Sequence, residues 1–275
     1  MNDTNKDSSP LMRVFAAFVG TVAVVLAIVV TLSLFAPRFL AGVAFSYTNN
    51  VSLALTLGRG HSMVYTDIGS EYFGGSLPYN AQLAGKFFDE AIQRDAENYL
   101  AHYQAARVAF VLGDISHAQE HIGLSTSLAP EFARNYYMQG LIYGFAKNDE
   151  KAEAGFKEFI VRAPEVWAGY VDLSWIYFAQ GKFPEGLALL EPVADTFVGI
   201  PWFENAYGLF LMHQYRYTEA GEQFARALAS LEKMTPADWG VAYPGNDPAF
   251  YETGYAQMRS SIENNIISLS RLTPQ

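Results

Sequence analysis

Pro130 and Pro164 stand 34 residues apart, and that period organises most of the chain. Repeats started at Tyr65, Tyr99, Ala133, Trp167 and Pro201 align without a gap. Their twentieth position reads Ala84, Ala118, Ala152, Gly186 and Ala220, small in every copy. The twenty-fourth reads Phe88, Ile122, Phe156, Leu190 and Phe224, always large and apolar. The eighth reads Tyr72, Ala106, Gly140, Ser174 and Gly208, small in all copies but the first. A fixed period in the range of about 20–50 residues implies stacked supersecondary units, none able to bury its apolar face alone. Such a chain is expected to be a solenoid.

The local pattern predicts that each unit is a pair of helices. In the third copy Tyr136, Met138, Leu141, Tyr143 and Phe145 precede a Lys147-Asn148-Asp149 break, and Ala152, Phe156, Phe159 and Ile160 follow it. That spacing is helical on both sides. Gly113-Asp114 and Gly181-Lys182 supply turn chemistry between paired helices. The small column lets two helices approach, and the bulky column fills the space beside it. Beyond the last copy, Thr235-Pro236 and Tyr243-Pro244-Gly245-Asn246 read as a loop. Asp247-Pro248 then reads as a helix start. Tyr251, Tyr255, Met258, Ile262, Ile266 and Leu269 step by threes and fours, predicting an amphipathic helix that closes the exposed repeat end.

These columns resemble the tetratricopeptide repeat (TPR) family, a 34-residue helix-turn-helix with small residues at positions 8 and 20, aromatics at 11 and 24, and proline at 32. The resemblance covers Tyr65 to Met234 and is fullest in the second and third copies. The first copy departs, with Gly75 at a bulky position and Ala96 at the proline; Val198 and Glu232 replace the proline in the last two. The resemblance implies an all-α solenoid of about five repeats over residues 65–234, with the loop and capping helix in 235–275.

The front of the chain is different. Val14 to Pro37 is 24 residues without a charge, polar only at Thr21, Thr31 and Ser33. At about 1.5 Å per residue this run spans a hydrocarbon core of roughly 30 Å, whereas the apolar region of a cleaved secretory signal is about 7–15 residues. Residues 14–37 are therefore expected to form a retained transmembrane helix after a tail over 1–13, though Ala41 to Ala44 leaves cleavage open. Lys6, Arg13 and the terminal amine precede the span and Arg38 follows it, favouring a cytoplasmic N-terminus and an extracytoplasmic repeat domain, at or outside a bacterial cell membrane. Residues 38–64 read as a linker or membrane-proximal segment; Phe39 to Leu57 either lies on the membrane surface or packs beneath the first repeat. Asn50-Val51-Ser52 has the form of a glycosylation acceptor, and the chain has no cysteine.

Charge narrows the partners. The net charge is −10, and from residue 60 onward 26 Asp and Glu face 14 Lys and Arg. Nucleic acid, which needs a basic patch, is excluded as an expected partner.

No catalytic set stands out. His117, Glu120 and His121 spell H-x-x-E-H, the inverted zinc-peptidase pattern, with Glu185 or Glu191 available as a third ligand. The repeat offers a simpler account: Ala118 and Ile122 are the packing columns, so the histidines fall on the face between them. No phosphate loop, thiol nucleophile or Gly-x-Ser-x-Gly elbow is present. The chain is expected to be no enzyme and to carry no cofactor.

The family resemblance instead implies a concave groove lined by the first helices, at repeat positions 2, 5, 9, 12 and 13. The groove residues at those positions include Tyr103, Arg107, Phe110, Arg134, Tyr137, Phe145, Trp175, Phe178 and Trp202. Aromatics with arginines suit interface hot spots, though helical aromatic stripes also serve packing. Family members that grip a C-terminal carboxylate use lysine and asparagine at positions 5 and 9, where this chain has Tyr103 and Arg107. The expectation is a membrane-anchored scaffold that binds a peptide or helix, such as one of a neighbouring membrane protein. An accessory subunit of a cell-envelope or glycan-assembly complex is the alternative, with the zinc peptidase a remote third.

Overall fold

The computed structural model describes residues 10–242 and 246–273, and every regular element among them is helical. Helix α1 (Pro10–Phe35) is followed by α2 (Pro37–Thr48) and α3 (Val51–Gly58). Five helix pairs come next: α4 (Ser62–Tyr72) with α5 (Ala81–Arg94), α6 (Tyr99–Val111) with α7 (Ile115–Leu128), and α8 (Ala133–Phe145) with α9 (Asp149–Arg162). Then α10 (Trp167–Ala179) pairs with α11 (Phe183–Leu190), and α12 (Pro201–His213) with α13 (Tyr217–Leu231). A short α14 (Pro236–Val241) and a long α15 (Tyr251–Leu272) end the chain.

The repeat columns are packing columns. Ala84, Ala118, Ala152 and Ala220 are fully buried, as are Phe88, Ile122, Phe156, Leu190 and Phe224. A Cβ built on Gly140 would stand 2.5 Å from the Phe156 ring, so the eighth position is small because the twenty-fourth fills its space. The turn between paired helices is equally periodic. Gly113, Lys147, Gly181 and Tyr215 share one repeat position, and all four have positive φ, from 58° to 81°. Asn80, Asn98, Asp114 and Asn148 cap the following helix through their side chains.

The first repeat corrects the gapless register. Its leading helix begins at Ser62, not Tyr65, and its turn occupies 73–80, against 112–114, 146–148, 180–182 and 214–216 elsewhere. That turn is five residues longer and its leading helix two residues shorter, a net insertion of three that shifts the helix, so Gly69, not Tyr72, meets Phe88, at 2.6 Å from a built Cβ.

Each second helix packs on the next first helix, and successive first helices also touch, so the first helices line the inner, concave side. Helix α15 packs on α13 and reaches α12, taking the place of a sixth first helix. Asn265 donates to Asn205 Oδ1 across that junction at 2.9 Å. Ile262 and Leu269 are buried on this face, with Tyr255, Met258 and Ile266 beside them. One continuous core joins α9 to α13 with Leu269 of α15, α2 to α8 hold three smaller separate clusters, and Ala227, Leu231 and Ile262 form a fourth between α13 and α15.

The helix expected over 14–37 ends at Phe35, because Pro37 disfavours helical geometry at the residue before it. Ala36 leaves helical geometry, at φ −142° and ψ 56°, and Pro37 starts α2 at its first helical position. Helix α1 already begins at Pro10, within the expected tail, of which residues 1–9 lie outside the described residues. Among the described residues no single helix is long and apolar enough to cross a membrane; Phe18–Leu32 and Pro37–Thr48 together are, but they run at 120° to each other. Residues 38–64, read as a linker, are largely helical. Ala41 and Phe45 of α2 pack with Ala54 of α3 against Val64 and Ile68 of α4.

Candidate functional site

The concave face divides into a packed floor, an open edge and a covered end. On the floor, Tyr103 is 8% exposed and meets Phe132 edge-on at 5.2 Å. The Arg107 guanidinium lies 4.9 Å over the Phe73 ring and donates to Gln104 Oε1 at 2.6 Å. Its burial pushes the Arg107 pKa down, and the positive charge of Arg134 adds to that effect. Arg134 itself is exposed. The Tyr137 ring packs on Phe156 and Phe159, and its hydroxyl donates to Asp172 Oδ2 at 2.6 Å. Enclosure of that carboxyl pushes the Asp172 pKa up to about 7, against the opposing pull of the Tyr137 hydrogen bond.

The open edge lies at the C-terminal ends of the first helices. Phe145 is 69% exposed and meets Phe110 edge-on at 4.8 Å, with Val111 and Leu112 exposed nearby. Trp175 is 42% exposed and meets Phe178 edge-on at 5.5 Å. Phe178 in turn rests against His213, which stacks on Phe183 at 4.0 Å.

At the other end the C-terminal segment covers the face. Trp202 stacks on Trp167 at 5.0 Å and faces Trp239 of α14 at 6.5 Å. Trp239 donates through its indole N–H to Met258 Sδ at 3.2 Å and abuts Gly254, which fixes α14 against α15. Farther along, the charges of Asp247 and Tyr251 act on Tyr79, whose pKa is raised first by burial, while Arg107 acts oppositely.

Sequence reasoning treated Thr235 to Asn246 as a loop and so missed α14. A local signal was present. Thr235 and Asp238 form a capping box around Pro236, a helix-start signature.

The histidine motif is not brought together. His117 Nδ1 pairs with Asp114 Oδ2 at 2.6 Å, at the start of α7. His121 Nδ1 stands 3.0 Å from His102 Nδ1, and His102 Nε2 lies 3.1 Å from Ala96 O. With the His102 Nε2–H donated to that carbonyl, its Nδ1 accepts from His121. Glu191 is held by Arg216 at 2.6 Å. Among the described residues no group of three His, Asp or Glu is placed to hold a metal.

No family model matches the chain. One curated protein, human (Homo sapiens) tetratricopeptide repeat protein 6, is 30% identical over 118 residues, covering 40% of this chain and 22% of that protein. The chain therefore spans about a fifth of the curated relative it matches. Among solved structures, Pseudomonas aeruginosa PilF superposes with a TM-score of 0.57 at 16% identity, over 78% of this chain and 92% of that one. PilW, described as a type IV pilus biogenesis factor, gives 0.56 at 18% identity, over 78% and 95%. YrrB, described as a TPR protein with an unusual peptide-binding site, gives 0.52 at 16% identity, over 66% and 91%. Such likenesses establish fold. The chain is an all-α solenoid of the TPR type.

Proposed function

We propose that this TPR-like solenoid is a non-enzymatic, membrane-anchored scaffold that binds a peptide or helix of another protein along its concave edge. The observation that carries this reading is the exposed aromatic edge, with Phe145 and Trp175 on neighbouring first helices and Phe110 and Phe178 packed edge-on behind them. Clustered exposed aromatics mark interaction sites more than single exposed side chains do. The cover over Trp202 leaves this edge free, and Arg134 is an accessible cation for an acidic group on the partner. Tyr103, Arg107 and Tyr137 form the floor that holds the edge in place. The described peptide-binding site of YrrB, a protein of the same fold, supports a peptide ligand.

The anchor is α1. Its described side chains from Val14 to Thr31 are exposed and almost all apolar. A helix apolar all round needs either a protein core or lipid, and among the described residues none buries these side chains. Lys6 and Arg13 before it, against Arg38 after it, favour an extracytoplasmic solenoid.

Photo-crosslinking in native membranes tests both parts. A photoreactive residue at Phe145 or Trp175 is expected to form an adduct with one membrane-associated protein, and one at Gln119, on α7, to form none. An adduct from Gln119 with none from the aromatic edge would move the site to the outer helices. Recovery of the intact chain in the alkaline-washed supernatant would remove the anchor.

A further inference from the structure

We propose that α2 is an interfacial helix, lying in the headgroup region of the bilayer with Phe39, Val43 and Tyr47 toward the lipid, so that the first repeat is held at a fixed angle to the membrane. The inference rests on the reading of α1 as the anchor and adds how the solenoid is presented.

Helix α2 has two unlike apolar faces. One carries Ala41 and Phe45 and is packed on Val64 and Ile68. The other carries Phe39, Val43 and Tyr47, spaced four apart and 61%, 38% and 87% exposed. Residues four apart form one stripe on a helix, and the described chain covers the first face only. Gly42 has open space above its Cα, which leaves the stripe accessible to an extended surface.

Three features select lipid as what meets the stripe. The first is continuity, since α2 starts two residues after α1 ends. The second is angle. A bend of 120° turns α2 back toward the bilayer from which α1 emerges. If α1 stood upright, α2 would dip about 30° below the membrane plane, and a typical span tilt of about 20° toward the side that lifts α2 would bring that to about 10°. The third is composition. The exposed stripe is Phe39, Val43 and Tyr47, and no Asp or Glu occurs in residues 37–66. Tyrosine settles at the interface with its ring in the apolar layer.

The stripe cannot turn independently of the repeats. Arg38 Nε donates to Asp67 Oδ2 at 2.9 Å and its Nη2 to Oδ1 at 3.0 Å, a two-pronged pair between α2 and α4. With the Ala41–Ile68 packing this makes α2 and the first repeat one body. Lipid contact by α2 therefore sets the direction in which the concave face opens.

The chain has no cysteine, so single labels report depth directly. The full-length protein would carry Val24→Cys, Val43→Cys or Gln119→Cys with a nitroxide label, in vesicles of mixed zwitterionic and anionic phospholipid. Collisions with dissolved oxygen and with a water-soluble nickel chelate would be compared. The expected ratio of oxygen to nickel is highest at Val24, lowest at Gln119, and several-fold above Gln119 at Val43. A Val43 ratio equal to that at Gln119, with Val24 still lipid-exposed, overturns the interfacial helix and leaves the anchor standing. A Val43 label shielded from both reagents places a protein on the stripe and also overturns the proposal. A water-exposed Val24 label overturns the anchor and the proposal together.

Discussion

The Tyr137 hydroxyl donates to Oδ2 of Asp172 at 2.6 Å, tying the third repeat to the fourth across the concave face. Folded Asp172 titrates at about 7, whereas an unfolded aspartate titrates near about 3.9. Between those values the folded chain keeps a proton that the unfolded chain has lost. The contribution to stability is therefore complete below about pH 4 and falls away as pH rises through 7. Asp172→Asn keeps an acceptor for Tyr137 without the titration. Melting temperatures at pH 5 and pH 8 should show the variant gaining on the parent at pH 8; a difference independent of pH would disprove the shift.

The open aromatic edge and the covered end should respond differently to truncation. Phe145→Ala and Trp175→Ala should each weaken partner capture by about 2 kcal/mol or more, the hot-spot range, with melting nearly unchanged. Trp202→Ala should lower melting instead, because its ring is held between Trp167 and Trp239. The check is a binding isotherm and a thermal melt for each variant, and equal effects on both would merge the two regions.

Two glycines separate packing from propensity. Gly69→Ala brings a methyl group against Phe88 and should cost about 1–3 kcal/mol by overpacking. Gly123, inside α7, has open space around its Cα, so Gly123→Ala should stabilise by about 0.5–1 kcal/mol through helix propensity. Urea midpoints measure both. A neutral Gly69→Ala would restore the register that starts at Tyr65.

The inter-helix turns make a third contrast. Lys147 holds φ at 58°, where Gly113 and Gly181 occupy the equivalent position. A non-glycine residue there is strained, so Lys147→Gly should raise stability by up to about 1 kcal/mol. Gly113→Ala should lower it by a similar amount, and a loss from Lys147→Gly would mean that its side chain serves another purpose.

The packing columns were legible because one requirement recurs five times, and chance does not phase Ala84, Ala118, Ala152, Gly186 and Ala220 against five bulky partners. The first repeat was misread where an insertion broke the phase, although Gly69 marked the true register. Helices α2 and α3 were hidden because short apolar segments have no period of their own to read. The groove was legible only as a row of positions. Whether Tyr103 lies open or buried depends on Phe132, and whether Arg107 is free depends on Phe73, neither of which is near in sequence. The cover over Trp202 is farther still from local rules. The capping box at Thr235 announces a helix but does not say where it lies.

The uneven core has a kinetic consequence. In a stack of near-neighbour units, each repeat opens at the expense of its own interfaces. From α9 to α13 those interfaces share one buried cluster, so the later repeats must open together. The earlier ones are separate clusters and can open one at a time. Amide hydrogens in α4 to α7 should therefore exchange by sub-global opening, well before those of α10, α12 and α13, which await global unfolding. The part of the solenoid next to α1 to α3 is thus the first to yield, and the part bearing Trp175 and Trp202 keeps its shape longest.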